Sequence, residues 1–155
     1  MLYKNIKADV SEKARSVVTS NSPVAEGLDE TTALSAGLVR ITWTFHTTDD
    51  NKDHDTIVST SCDNTGLLLG AGDVGGGEEW GDNSTRVVGI PVANAASWES
   101  CASGNINIIE RPNGDDEWHF DVSLFLEFEF GAWRRINWTG INLAEDRPQF
   151  HGFWS

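Results

Sequence analysis

From residue 38 onward, apolar and polar side chains alternate along most of the chain, the period of a strand with one face in a core and the other toward water. Ile41, Trp43 and Phe45 alternate with Arg40, Thr42, Thr44 and His46. Thr56, Val58, Thr60 and Cys62 repeat the pattern, which leaves 46–55 as a polar turn between two strands. Trp118, Phe120, Val122, Leu124, Leu126, Phe128 and Phe130 then occupy seven consecutive alternate positions, with Phe125 the one apolar residue on the opposite face. A helix would scatter these residues around its axis, so the run predicts a strand of about 40 Å, long enough to cross a sandwich or to bend at a bulge. Segments 67–69, 86–92, 135–143 and 149–154 are shorter candidates, and the glycine-dense stretch 70–77 reads as a mobile loop. Short strands separated by turn signals predict an all-β fold, an antiparallel β-sandwich of about eight strands.

The N-terminal part follows a different pattern. Leu2, Ile6, Val10, Ala14 and Val17 recur at helical spacing, and Lys4, Lys7, Lys13 and Arg15 accompany them, which predicts a short amphipathic helix or arm. Segment 18–37 is rich in Ser, Thr, Ala, Gly and Asp, with Pro23 and Gly27 as breakers, and reads as a linker. The expected division is therefore an arm and linker over 1–37 and a β-sandwich domain over 38–155.

At 155 residues and 39% apolar composition the chain is sized for one domain with a real core. Its net charge of −13 repels phosphate backbones and disfavours nucleic acid as a partner. Without the first fifteen residues, 7 basic and 22 acidic side chains remain, so arm and body are electrically opposite. No run approaches the roughly 18 apolar residues of a transmembrane segment, and the N-terminus lacks the apolar stretch of a secretory signal. The expectation is a soluble chain, either cytoplasmic or secreted with its signal removed. Cys62 and Cys101 form no metal motif, and their spacing leaves a disulfide open.

The most pointed chemistry lies in the first polar turn. Asp49, Asn51, Asp53 and Asp55 form a D-x-N-x-D-x-D series, and Ca²⁺ takes six to eight oxygens from such side chains and from backbone carbonyls. Crowded carboxylates repel one another, and a bound cation relieves that repulsion. The loop is no EF-hand, because His54 stands where that motif needs glycine and Thr60 where it needs glutamate. Asp115 and Asp116 form a second acidic group that can close on the same end, and Glu78, Glu79 and Asp82 beside Trp80 form a third. Calcium is thus the expected cofactor, with Asp49, Asn51, Asp53, Asp55, Asp115 and Asp116 as its candidate ligands. His46 and His54 raise zinc as an alternative, but oxygen donors dominate the loop. Hydrolase, metalloprotease and P-loop motifs are absent, so no enzyme is expected. Trp43 and Trp118 are in phase with the core, whereas Trp80, Trp98, Trp133, Trp138 and Trp154 fall near loops or in weakly patterned segments. Trp133-Arg134-Arg135 joins an aromatic to the body's basic pair, and Trp80, Trp133, Arg134 and Arg135 are the candidate ligand-binding residues.

The order of these features is similar to that of the PLAT domain. The resemblance is carried by the strand, Thr-Asp-rich loop and strand of 41–61, by Gly77-Glu78-Glu79-Trp80-Gly81-Asp82-Asn83-Ser84-Thr85, by Gly104-Asn105-Ile106-Asn107-Ile108-Ile109-Glu110, and by Asp116-Glu117-Trp118-His119-Phe120-Asp121-Val122. It spans roughly 38–131 and implies an eight-stranded β-sandwich, often calcium-assisted, that binds lipid surfaces or protein partners and is no enzyme. PLAT domains usually carry a glycine-alanine-glycine-threonine-aspartate run after the first strand; here Asn51-Lys52-Asp53-His54-Asp55-Thr56 stands in its place. The expected function is a non-enzymatic, calcium-dependent, lectin-like recognition module for carbohydrate, a lipid surface or a protein. The alternative is a self-assembling structural protein, a homo-oligomer whose basic arm docks on the acidic body of a neighbouring copy.

Overall fold

The alternating side chains do what their period demands: they sort onto the two faces of paired strands. The structure, a computed structural model, describes residues 16–22, 29–111 and 117–155. Strands β1 (Ser16–Asn21), β2 (Leu38–Thr47), β5 (Thr85–Ile90), β7 (Trp118–Phe128) and β8 (Trp133–Leu143) form one sheet in the order β1-β8-β7-β2-β5. Strands β3 (Ile57–Asn64), β4 (Leu67–Val74), β6 (Gly104–Arg111) and β9 (Gln149–Trp154) form a second sheet in the order β4-β3-β6-β9. Every pairing is antiparallel. The protein is an all-β sandwich, and its two inner faces supply one apolar core. Among the described residues, no helix is long and apolar enough to cross a membrane.

Strand β7 carries the pattern that announced it. Its side chains alternate strictly between buried and half-buried, from Trp118 to Phe128. The run ends one step earlier than the periodicity predicts: Phe130 leaves the strand with φ 60°, in a 3₁₀ turn over Glu129–Gly131, and is exposed. An aromatic cluster closes one end of the core. Trp118 stacks on Phe120 with ring centroids 3.7 Å apart, and Phe45 and Trp80 lie 5.6 and 5.4 Å from Trp118. The Trp118 indole nitrogen donates to the Thr47 hydroxyl at 3.0 Å, which satisfies the polar atom that this ring takes into the core.

Three expectations change. Residues 1–15 of the predicted N-terminal helix lie outside the described residues, but its last apolar position, Val17, belongs to strand β1, which pairs with β8 from Ser16↔Trp138 to Asn21↔Trp133. The first sheet therefore reaches upstream of residue 38. Segment 18–37 contains the end of that strand and helix α1 (Glu30–Leu34), capped by Asp29, whose carboxylate accepts from the Thr32 backbone N–H at 2.7 Å. The glycine-dense stretch, expected as a loop from residue 70, continues strand β4 through Gly70 and Gly72. A Cβ at Gly70 would lie 2.5 Å from the Pro91 carbonyl oxygen and 2.6 Å from the Ile41 side chain, and one at Gly72 would lie 2.9 Å from Ile90. These glycines let β4 approach the other sheet closely; the requirement is packing.

Gly104, which opens β6, meets the same constraint against backbone. A Cβ there would lie 2.5 Å from the Asp63 carbonyl oxygen and press into the Trp154 ring. Because the neighbour is main chain, Gly104→Ala is expected to cost about 1–3 kcal/mol through overpacking, read as a lower midpoint in thermal denaturation.

Both cysteines are buried free thiols. Burial, reinforced by the nearby Cys101, pushes the Cys62 thiol up to about 12, so it behaves as a small apolar core residue.

Candidate functional site

The site is built by the connection between β2 and β3. Backbone bonds tie this loop to the core at two places. Thr48 N–H donates to the His119 carbonyl at 2.9 Å and His119 N–H to the Asp50 carbonyl at 3.1 Å, fastening 48–50 to the start of β7. Lys52 and Trp80 exchange backbone bonds of 3.1 and 2.9 Å, fastening the loop to the segment after β4. Between these ties the chain turns inward at Lys52, whose side chain is fully buried. Its ammonium donates to the carbonyl oxygens of Glu78, Gly75, Asp53 and Thr56 at 2.6, 2.7, 2.9 and 2.9 Å and lies 4.9 Å from the Trp80 ring centroid. Four carbonyls thus converge on a cation with three N–H donors. Gly75 makes the approach possible: its φ is 74°, and a Cβ there would stand 2.9 Å from the Lys52 side chain.

The carbonyl cage answers the electrostatic question raised by the acidic loop. Backbone oxygens that a hard metal ion could take are directed at the loop's own ammonium. Asp53 and Asp55 are exposed, while the Asn51 amide donates to Glu79 at 3.0 Å. The D-x-N-x-D-x-D series therefore does not wrap around a common centre. Asp115 and Asp116 lie outside the described residues.

A different group converges beside the cage. The two backbone bonds that pin 48–50 also bring Asp49 and Asp50 onto His119. His119 Nδ1 lies 2.7 Å from an Asp49 carboxylate oxygen and 3.3 Å from one of Asp50, and its Nε2 lies 3.1 Å from Glu117. One potential ligand atom each from Asp49, Asp50 and His119 falls within a 4.8 Å span. Partial burial of the ring opposes its charge, but the hydrogen bonds to Asp49 and Glu117 and the charges of Asp50 and Asp49 outweigh it and raise the His119 pKa. The hydrogen bond with His119 in turn holds the Asp49 carboxyl below its usual range. Of the expected metal ligands, the structure brings Asp49 into this group and adds Asp50 and His119. Asp49 and His119 stand 70 positions apart, and no local pattern links them; the in-phase pairing of β2 with β7, His46↔Asp121 and Thr47↔Phe120, places both at one sandwich end.

The candidate ligand-binding residues divide in the same way. Trp80 is 1% exposed, wedged between Lys52 and the Phe45–Trp118 cluster, and presents no face to a ligand. Arg134 is also buried. Its guanidinium lies 4.1 Å from the Trp98 ring centroid and donates twice to the Trp98 carbonyl, at 2.7 and 3.0 Å, binding the 93–99 segment to β8. Both are structural because their polar atoms are spent inside the fold. Trp133 and Arg135 face outward on the five-stranded sheet beside Phe125: the Trp133 ring is 5.9 Å from the Phe125 centroid, and the Arg135 guanidinium lies over the Phe125 ring at 4.9 Å. The chain matches no protein-family model, and no curated protein matches it significantly.

Proposed function

We propose that the protein is a non-enzymatic recognition module that holds a divalent cation at one end of its sandwich, between Asp49, Asp50 and His119, and uses that ion to anchor an oxygen-bearing ligand. The observation that carries this reading is the convergence of three ligand atoms within 4.8 Å, with Glu117 on the far nitrogen of the imidazole. In the structure Nδ1 serves Asp49 as a hydrogen-bond donor; a cation that took the place of that proton would find the ring held by Glu117 at its second nitrogen, the arrangement found behind metal-binding histidines. Three protein ligands leave coordination positions open for a ligand oxygen. Imidazole with two carboxylates suits Zn²⁺ or Mn²⁺ better than Ca²⁺, which prefers oxygens alone, so the calcium expected from the aspartate series gives way to a borderline ion.

Calorimetric titration of the full chain with Zn²⁺, Mn²⁺ and Ca²⁺ tests it. Zn²⁺ or Mn²⁺ is expected to bind and to raise the melting temperature, with His119→Ala and Asp49→Ala each weakening binding by about tenfold or more. Asp55→Ala, exposed on the same loop, is expected to change neither. Equal metal response in wild type and His119→Ala would remove the ion from this site.

A further inference from the structure

We infer that a neutral sugar unit binds in a hollow on the outer face of the five-stranded sheet, between β2, β7 and β8, with the adjoining unit of its chain against the Phe125, Trp133 and Arg135 side chains. The inference deepens the recognition reading and names its ligand class, but it uses a different set of side chains. Register places Thr44, Ser123 and Asn137 in one row across the three strands, with His46 and Asp121 in the next row. These side chains, together with Thr139 and the apolar Val122 and Trp138, line a hollow of about 200 Å³. A register shift lies beside it: between Phe120↔Ile141 and Val122↔Trp138, strand β8 sets two residues, Thr139 and Gly140, against the single Asp121, and the Asp121 carboxylate accepts from the Gly140 N–H at 2.9 Å. Bulges of this kind bend the sheet locally and re-aim side chains.

The groups around the hollow suit hydroxyls. Ser123 donates to the Asn137 amide oxygen, which orients the Asn137 nitrogen as a free donor pair. His46 Nδ1 lies 2.9 Å from the Thr85 hydroxyl, leaving its other ring nitrogen available. Among the described residues, the Asn137 amide nitrogen, the second Asp121 oxygen and the hydroxyls of Thr44 and Thr139 have no hydrogen-bond partner. A carboxylate, an amide and hydroxyls around one small volume pair with alternating donors and acceptors, as sugar hydroxyls present them. The volume is below the ~300–1,000 Å³ of sites for drug-sized ligands, so it admits a single ring-sized unit. One strand step further, in the row Thr42, Phe125 and Arg135, the half-buried Phe125 ring, with the Arg135 guanidinium over it and Trp133 beside it, adds an aromatic patch that the C–H groups of a sugar can pack against. The protein's charge of −13 and the Asp121 carboxylate in the hollow disfavour an anionic glycan.

Amide NMR titration of the full chain with cellohexaose, xylohexaose, mannohexaose and maltohexaose, each with and without EDTA, tests the inference. At least one is expected to shift the amides of Asp121, Ser123, Phe125 and Asn137 equally in both conditions. Asn137→Ala and Phe125→Ala are each expected to weaken that binding by about tenfold. Thr44→Val, which keeps shape while removing a hydroxyl, provides a second variant should either fail to fold, and weakens binding in the same direction. If none of the four sugars shifts these amides, the inference fails, whatever the metal titration shows. Shifts confined to 48–50 and 117–119 and abolished by EDTA also overturn it, and leave the cation-dependent reading standing. Binding at the hollow by a chain that takes up no metal would support the inference and sink the cation.

Discussion

Lys52→Met is expected to lower the free energy of unfolding by about 3–5 kcal/mol, a large share of what a domain of this size has. Methionine retains the apolar stem against Trp80 but removes the ammonium on which the carbonyls of Asp53, Thr56, Gly75 and Glu78 converge. Buried acceptors without a donor cost about 1–3 kcal/mol each, and partial opening of the loop to water recovers some of this. Lys52→Arg is expected to fall on the same side, because a planar guanidinium cannot replace a compact ammonium in a cage of 2.6–2.9 Å contacts. Urea denaturation followed by far-ultraviolet circular dichroism measures the effect, and EDTA should leave it unchanged. A loss below roughly 1 kcal/mol would mean that those carbonyls reach water, and that the cage does not hold the loop.

Trp118→Ala should cost as much, about 3–5 kcal/mol, by the combined loss of buried area and the cavity left behind. The ring is fully buried, stacks on Phe120 and meets Phe45 and Trp80, so no single neighbour can move in to fill the space. Trp118→Phe separates the two contributions: it keeps most of the packing and leaves the Thr47 hydroxyl without its donor, for about 1 kcal/mol. The substitution also reaches the candidate site. His119 follows Trp118 directly, and the backbone bonds from 48–50 to His119 depend on the start of β7 being held in place. Trp118→Ala is therefore expected to weaken Zn²⁺ or Mn²⁺ binding while Trp118→Phe preserves it. Equal metal affinity in wild type and a folded Trp118→Ala would show that the Asp49–Asp50–His119 group forms without support from the core.

Particular residues show where the sequence could be read and where it could not. The strands from Leu38 on were legible because one buried face imposes a period of two, and β7 displays it over eleven residues. The end of that strand was not, because Phe130 is as apolar as the residues before it and only its left-handed backbone takes it out of the sheet. Gly70 and Gly72 read as loop residues by composition; their use as close-packing positions depends on Pro91, Ile41 and Ile90, which approach from the other sheet. At the site, the acidic loop was visible but the buried cation inside it was not. Lys52 looks like an ordinary exposed lysine between aspartates, and only the return of 75–80 beside the loop gives its ammonium a cage.

Local pattern thus determined that this chain makes antiparallel strands, which faces of them are buried, and that negative charge gathers at the turn after the first long strand. Those properties depend on residues one or two positions apart, and neighbours along the chain already express them. Tertiary structure alone decided that β1 joins the first sheet, that Trp80 and Arg134 are internal, and that His119 meets Asp49 and Asp50. Each of these depends on strand order and register, which bring together residues tens of positions apart through hydrogen bonds that carry no trace in the local sequence.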